Sequence, residues 1–291
     1  MKHESGWKMT RREALAVFGA LAASAKMSGT FAHEVSAFKG IALQMYTLRE
    51  PAKKDLPGTL KKVRDMGWEY IQWSGMPDLP ASEIRAALDN AGLTAVSCHI
   101  GIEAFETDFD GQVAFWRTVG NSDLAPGGMM SDCRKDLEAW LRGAARLDAV
   151  AARLKETGMR LSYHNHDWEF EKFDNDPRAK IDILMEATSD LCAELDLAWV
   201  FLGGADPADY IKKFKNRCPM IHAKDCLETR KLGRRAQFVP LGQGALNWQA
   251  IFEAGKEAGV EWYIYEQDNA EKDIFESAQE SFDFLKKSLS L

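Results

Sequence analysis

Short apolar runs alternate with longer segments of helical periodicity from residue 41 to the end of the chain. The runs at 41–46, 70–73, 94–99, 123–125, 160–166, 191–196, 220–222 and 262–266 have the length and composition of buried strands. The fourth is the weakest, broken by Pro126-Gly127-Gly128. Between the runs, apolar residues recur every three or four positions, as Leu60, Val63 and Met66 do before Gly67. That spacing predicts amphipathic helices over 57–66, 82–91, 109–119, 132–157, 181–187, 207–214, 248–257 and 274–289. Ser82 is placed to cap the second, and Gly92 to end it. The stretch between 222 and 248 reads as a long loop carrying Pro240-Leu241-Gly242-Gln243-Gly244.

Eight strands, each followed by a helix, predict a parallel sheet with right-handed crossovers. Eight such units in a chain of 291 residues fit a single (β/α)8 TIM barrel. The alternative is an open doubly wound sheet. No Gly-x-Gly-x-x-Gly follows the first strand and no P-loop motif occurs, which removes the usual mark of that alternative.

The first 37 residues stand apart from this pattern. Thr10-Arg11-Arg12 precedes an uncharged run from Ala14 to Ala25, and Ala23-Ser24-Ala25 fits a small-residue cleavage site. These are the parts of a bacterial export signal, and the paired arginines are similar to the twin-arginine type. Glu13 departs from the residues usual after that pair. The expected organisation is a signal over 1–25, a polar linker over 26–37 and the barrel over 38–291, with a periplasmic address. The run is too short and alanine-rich for a stable membrane span, so no membrane insertion is expected after signal removal.

A net charge of −7 argues against general affinity for nucleic acid, which needs a basic footprint. The five cysteines form no Cys-x-x-Cys pair, and their odd number forbids complete pairing. Cys98, Cys192 and Cys218 lie in or beside strand-like runs and are expected as buried thiols.

In a barrel the C-terminal strand ends and the loops after them build the active site. Those ends carry Gln44, Tyr46, Gln72, His99, His164, His166, Glu194, Asp196, His222, Lys224 and Glu266, with Glu169 and Asp268 just beyond. Of six histidines, two lie in the first 33 residues; the other four all fall at predicted strand ends. Each has an ordinary alternative as a core histidine with its hydrogen bonds met, but scattered histidines would not collect this way. Asp196 and Glu266 each end an apolar strand, where an unpaired carboxylate is expensive, so a metal or a basic partner is expected beside them. Glu194 shares the parity of Asp196 and could be buried against Lys or Arg. Trp73, Phe105, Trp168 and Trp199 could fill the core or stack on a sugar ring.

Gln44-Met45-Tyr46-Thr47-Leu48-Arg49, His164-Asn165-His166-Asp167-Trp168-Glu169, Glu194-Leu195-Asp196, His222-Ala223-Lys224-Asp225, Pro240-Leu241-Gly242-Gln243-Gly244 and Glu266-Gln267-Asp268 together resemble the sugar phosphate isomerase/epimerase family, a xylose isomerase-like TIM barrel. The resemblance runs from about residue 38 to the end and implies one divalent metal, Mn, Zn or Fe. Carried over, its ligands fall on Asp196, His222 and Glu266. The fifth-strand position, usually Glu in the family, falls on His164, and Glu169 is an alternative ligand. The substrate implied is a small sugar bearing a carbonyl. Glu266, His166 or His164 would move a proton beside that carbonyl, and Lys224 would hold the resulting oxyanion. Gln44, Tyr46, His99, Glu169 and Trp199 are the expected substrate contacts; Trp199 stands where some relatives place a substrate-binding histidine. The expected reaction is isomerisation or epimerisation of a non-phosphorylated sugar or keto-sugar. The alternatives are a keto-glycoside lyase or hydratase, or a non-catalytic periplasmic sugar-binding protein. A phosphodiesterase on the same barrel is disfavoured by the acidic charge, and a homo-oligomer is left open.

Overall fold

Eight parallel strands close into a barrel in the computed structural model, which describes residues 38–74, 78–227 and 236–291. The expected export signal and linker lie outside the described residues. In order around the barrel come β1 (Gly40–Gln44), β2 (Tyr70–Ser74), β3 (Thr94–His99), β4 (Asp123–Ala125), β5 (Arg160–His164), β6 (Cys192–Asp196), β7 (Met220–Ala223) and β10 (Trp262–Tyr265), which pairs back to β1. The chain is therefore a (β/α)8 barrel, as the alternation of runs predicts. Two further strands, β8 (Asp225–Cys226) and β9 (Phe238–Val239), pair antiparallel within the stretch read from sequence as loop.

The twofold alternation of a strand sorts side chains between the barrel interior and the helix layer. On β10, Trp262 and Ile264 join Ala42, Val96 and Met220 in a small apolar plug inside the barrel. Tyr263 and Tyr265 belong to the larger core between strands and helices. Above the plug the interior turns polar: Gln44, Gln72, Glu194 and His222 are all fully buried. Below it, Arg160 donates to both oxygens of Glu261, at 2.9 and 2.8 Å, and to Asp123. This ionic cluster closes the end opposite the site.

The helices are α1 (Arg49–Lys54), α2 (Leu56–Asp65), α3 (Ala81–Ala91), α4 (Glu103–Thr107), α5 (Phe109–Val119), α6 (Leu137–Glu156), α7 (Lys180–Glu186), α8 (Leu197–Leu202), α9 (Pro207–Lys213), α10 (Trp248–Ala258) and α11 (Ile274–Leu289). Trp140, Ala144, Leu147, Ala151 and Leu154 form the buried stripe of α6 at helical spacing. The sequence pattern places the start of this helix at 132, but Asp136 accepts a hydrogen bond from the Ala139 N–H and caps it there. Residues Ser131–Cys133 form a separate 3-10 turn. Ser82 likewise lies inside α3 rather than at its cap, because Pro80 occupies that position. Cys98, Cys133, Cys218 and Cys226 are buried free thiols; Cys192 is free and partly buried. Among the described residues, no helix is long and apolar enough to cross a membrane.

Candidate active site

A cavity of about 500 Å³ opens at the C-terminal end of the barrel. Its charged and imidazole lining comes from four strands and their exits: His99 from β3, His164 from β5, His166 just after β5, which ends two residues earlier than its apolar run predicts, Lys224 after β7, and Glu266 and Asp268 after β10. Tyr46, Trp199 and Phe238 supply aromatic wall. Trp199 and Phe238 meet edge to face, with ring centroids 5.2 Å apart, and the Lys224 ammonium lies 5.4 and 5.2 Å from those rings.

Register explains why the polar groups converge. His164 pairs with Glu194 across β5 and β6, and Asp196 with His222 across β6 and β7. Neighbouring strands therefore present their inward polar residues at one level. Glu194 lies at the centre of the lower tier. Its Oε1 is 2.5 Å from His99 Nε2, 3.1 Å from His222 Nε2 and 3.6 Å from His164 Nδ1, while Gln72 Nε2 donates to its Oε2 at 2.7 Å. Gln44 donates to Gln72 at 2.5 Å, so Gln44 lies beneath the pocket and acts on it through Gln72. The upper tier is centred on Lys224, whose Nζ is 2.8 Å from Asp196 Oδ2, 2.8 Å from Glu266 Oε2 and 3.2 Å from Asp268 Oδ2. His222 joins the tiers, since its Nδ1 lies 2.8 Å from Glu266 Oε2.

These contacts set the charges. Burial alone would strip His222 of its proton, but Glu194 and Glu266 on either side hold its pKa up at about 10. Burial opposes ionisation of Glu194 and Glu266. For Glu194, His222 and His99 prevail; for Glu266, Lys224 and His222 do, and both carboxyls sit well below the usual range. Asp196 behaves oppositely although it also pairs with Lys224: burial, reinforced by nearby Glu266, pushes it up. Asp268 moves the same way, for burial and the same neighbour. Burial would also lower Lys224, yet its three carboxylates raise it above the ordinary lysine value. Burial and the neighbouring His222 leave His164 neutral. Burial and the Lys224 charge push His166 down to about 4, so its imidazole is neutral at pH 7.

Glu169 is turned away from the cavity. It is fully buried, accepts from the Tyr163 hydroxyl and the His166 N–H at 2.8 Å each, and is raised by burial to about 7. Its contact with the pocket passes through the backbone of His166. Trp168 is also outside the lining, beneath the Arg134 guanidinium at 4.9 Å, and Trp73 and Phe105 fill the core. Ser74, Gly127, Ala236, Phe238 and Asn269 line the cavity without having been singled out by sequence. For Phe238 a signal existed: Gln237-Phe238-Val239 is a short strand-like run just before Pro240.

The loop carrying Phe238 is tied down by Asp225. Its carboxylate accepts from the N–H groups of Gly242 at 2.9 Å and Gly244 at 3.1 Å and from Trp248 Nε1 at 2.8 Å. A Cβ on Gly244 would lie 2.1 Å from Asp225 Oδ1, and Gly242 has φ +79°, so both glycines are needed for the carboxylate to be wrapped this closely.

The residues fit a divalent ion. Two overlapping sets bring four ligand atoms within 4.8 Å of one another: His164, Asp196, His222 and Glu266, or His99, His164, Glu194 and His222. His164 Nδ1 is buried without a hydrogen-bond partner. Imidazole with carboxylate is a donor set for Mn²⁺, Zn²⁺ or Fe²⁺.

A parallel barrel with a histidine–carboxylate cluster buried at its C-terminal mouth places the protein among the TIM barrels with their active site at that end. The sequence profile of the xylose isomerase-like TIM barrel family matches residues 60–288, and the chain belongs to that family. An inosose dehydratase of Lacticaseibacillus casei is 27% identical over 171 residues, covering 53% of this chain and 56% of the relative. An inosose dehydratase of Clostridium perfringens is 28% identical over the same shares. The match thus spans little more than half the length of these relatives. The fold is shared with a sugar phosphate isomerase/epimerase of Parabacteroides distasonis: TM-score 0.73, 21% identity, 86% of this chain and 98% of that one.

Proposed function

We propose that the protein is an enzyme that moves a proton next to the carbonyl of a non-phosphorylated keto-sugar or cyclic polyol ketone. The outcome is isomerisation, epimerisation or loss of a β-hydroxyl as water. The observation that carries this reading is the pairing, in one cavity, of a neutral imidazole at His166 with the ionised Glu266 and the buried ammonium of Lys224.

A divalent ion held at His164 and His222, the imidazoles common to both ligand sets, would supply polarisation of the carbonyl oxygen. The remaining work falls to the chain itself. His166 offers a free lone pair at neutral pH and takes the proton from the carbon beside the carbonyl; the C–H electron pair passes into the enolate. Lys224, positively charged and lining the cavity, lies where it can stabilise the oxyanion. The protonated His166 then returns its proton to carbon, or gives it to a β-hydroxyl that departs as water. Glu266, ionised and 2.8 Å from both Lys224 and His222, keeps their charges in place and is the second carboxylate within reach of the substrate.

Three features support a neutral ring as substrate. Trp199, Phe238 and Tyr46 present aromatic surface to the cavity, as sugar rings require. Two carboxylates, Glu266 and Asp268, line it. Lys224, the cation in the described lining, is already engaged by three carboxylates. The inosose dehydratases among its relatives favour the dehydration branch. The arginine pair and apolar run at the N-terminus support action after export.

The test is incubation of metal-loaded protein in D2O with keto-sugars and keto-cyclitols, followed by NMR. Deuterium entry beside the carbonyl, or an unsaturated product, is expected, with both lost in His166→Gln. Binding of these compounds with neither exchange nor product would leave a sugar-binding protein instead.

A further inference from the structure

We infer that Asn165 is a positioning residue whose carboxamide sets the His166 imidazole against the Trp199 indole. The inference rests on the reading of His166 as the proton carrier and deepens it by naming what holds that imidazole in place.

Asn165 is fully buried between His164, the last residue of β5, and His166. The β5–β6 ladder ends at the pairing of His164 with Glu194. One step further on, the Asn165 side chain does what a peptide group would do. Its Oδ1 accepts from the Asp196 N–H at 3.0 Å, and its Nδ2 lies 3.4 Å from the carbonyl oxygen of Asp196 and 3.4 Å from that of His166. One donor and two acceptors around it fix which way the amide faces, and its two hydrogens can serve both carbonyls. The His166 N–H donates to Glu169 Oε2 at 2.8 Å. Two side chains, Asn165 and Glu169, thus hold both backbone polar groups of His166.

The same carboxamide reaches Trp199. Asp196, whose N–H and C=O both face Asn165, turns its own Oδ1 to the Trp199 N–H at 3.1 Å and so caps α8. Trp199 lies in the first turn of that helix, and its ring centroid is 5.7 Å from that of His166, with the planes tilted by 43°. Both rings line the cavity. The path is closed: Asn165 to His166, His166 to Trp199, Trp199 to Asp196, and Asp196 back to Asn165. An amide placed only to finish the ladder would be satisfied by Asp196 alone. The contact with the His166 carbonyl ties the proton carrier to the same anchor as the aromatic wall. Misplacing a reacting group by about 1 Å can cost on the order of 100-fold in rate, so this spacing matters to the chemistry.

The experiment records the imidazole C–H NMR signals of the purified full-length chain. Six histidines make these signals few enough to resolve, and the one lost in His166→Gln belongs to His166. Wild type, Trp199→Ala, Asn165→Ala and the double variant are compared, with circular dichroism as the check on folding. Trp199→Ala removes the ring current of the indole and is expected to shift the His166 signal in the wild-type background, and to shift it much less where Asn165 is already gone. Deuterium exchange into the ketone is expected to fall about 10- to 100-fold in kcat in Asn165→Ala. The KM increase caused by Trp199→Ala is expected to shrink in that background, since residues sharing one network are not additive. Asn165→Ser keeps a polar group in the buried position but cannot reach the His166 carbonyl, and gives the same pattern if Asn165→Ala fails to fold. Equal shifts on Trp199→Ala in both backgrounds, or none in either, overturn the inference and leave Asn165 a strand-end brace. The expected shifts in a protein that exchanges no deuterium into any bound ketone overturn the reading of His166 as proton carrier and leave the positioning standing.

Discussion

Removing the Lys224 charge is the sharpest test of how the site is held together. Lys224→Met keeps the length of the stem and deletes the ammonium. Each contact at 2.8 Å, to Asp196 and to Glu266, represents about 6 kcal/mol of attraction at an effective dielectric constant near 20. Desolvation of the buried groups cancels much of this, and breaking a buried pair from one side costs about 3–5 kcal/mol in practice. For a domain of this size that is on the order of 10 °C in Tm. The cost depends on pH. Without the ammonium, the folded-state pKa values of Asp196, Glu266 and Asp268 all rise, because burial and mutual repulsion are no longer opposed. A carboxyl raised above its unfolded value binds protons preferentially in the folded state, so it regains stability as pH falls. The deficit of Lys224→Met is therefore expected to be largest at pH 8 and to shrink toward pH 5. Urea unfolding of both proteins at four pH values, with chelator present so that no ion compensates, measures it. A deficit below about 1 kcal/mol, smaller than the loss of one charged hydrogen bond, or one that does not vary between pH 5 and 8, would refute the reasoning.

Three further outcomes follow from the same contacts. Asp225→Ala leaves the N–H groups of Gly242 and Gly244 and the Trp248 indole without their acceptor, and should cost about 3 kcal/mol or more; new protease cleavage within 240–247 and altered tryptophan fluorescence are the readouts. Glu169, raised by burial to about 7, binds protons preferentially in the folded state, so its ionisation removes stability as pH climbs from its unfolded value through 7. Glu169→Gln should flatten the stability profile between pH 5 and 8, and an unchanged slope in urea titrations would contradict that origin. Trp199→Ala removes a stacking wall worth about 0.5–1.5 kcal/mol, so KM for the ketone should rise about 2- to 10-fold with kcat largely kept; a fall in kcat with KM unchanged would place Trp199 in the chemistry instead.

Much of the architecture is legible in the sequence. The eight barrel strands and the principal helices lie where apolar periodicity puts them, even the three-residue β4 beside its Pro-Gly-Gly break. Boundaries failed where capping competes with periodicity, as at Asp136, which begins α6 later than its pattern of apolar residues suggests. The β8–β9 pair was missed because two residues per strand are too few to show alternation. Strand parity also aligned His164, Asp196, His222 and Glu266, since a parallel barrel carries inward-facing residues to one end whatever their separation in sequence.

Sequence could not decide partners across the barrel. Glu194 was open to a lysine or arginine partner, and the structure gives it His99, His222 and Gln72, from β3, β7 and β2. Glu169 follows a histidine motif that leads toward the pocket, yet a 3-10 turn over Asp167–Phe170 folds its carboxylate back onto Tyr163 and the His166 N–H. Lys224 reads as one more strand-end cation until three carboxylates are found around it. The distinction is physical. Whether a residue faces the interior is set locally, by the alternation of a strand, and is written in the order of the chain. Which buried charge meets which depends on register and closure of the whole barrel, and the ionisation of every group in the site follows from those meetings.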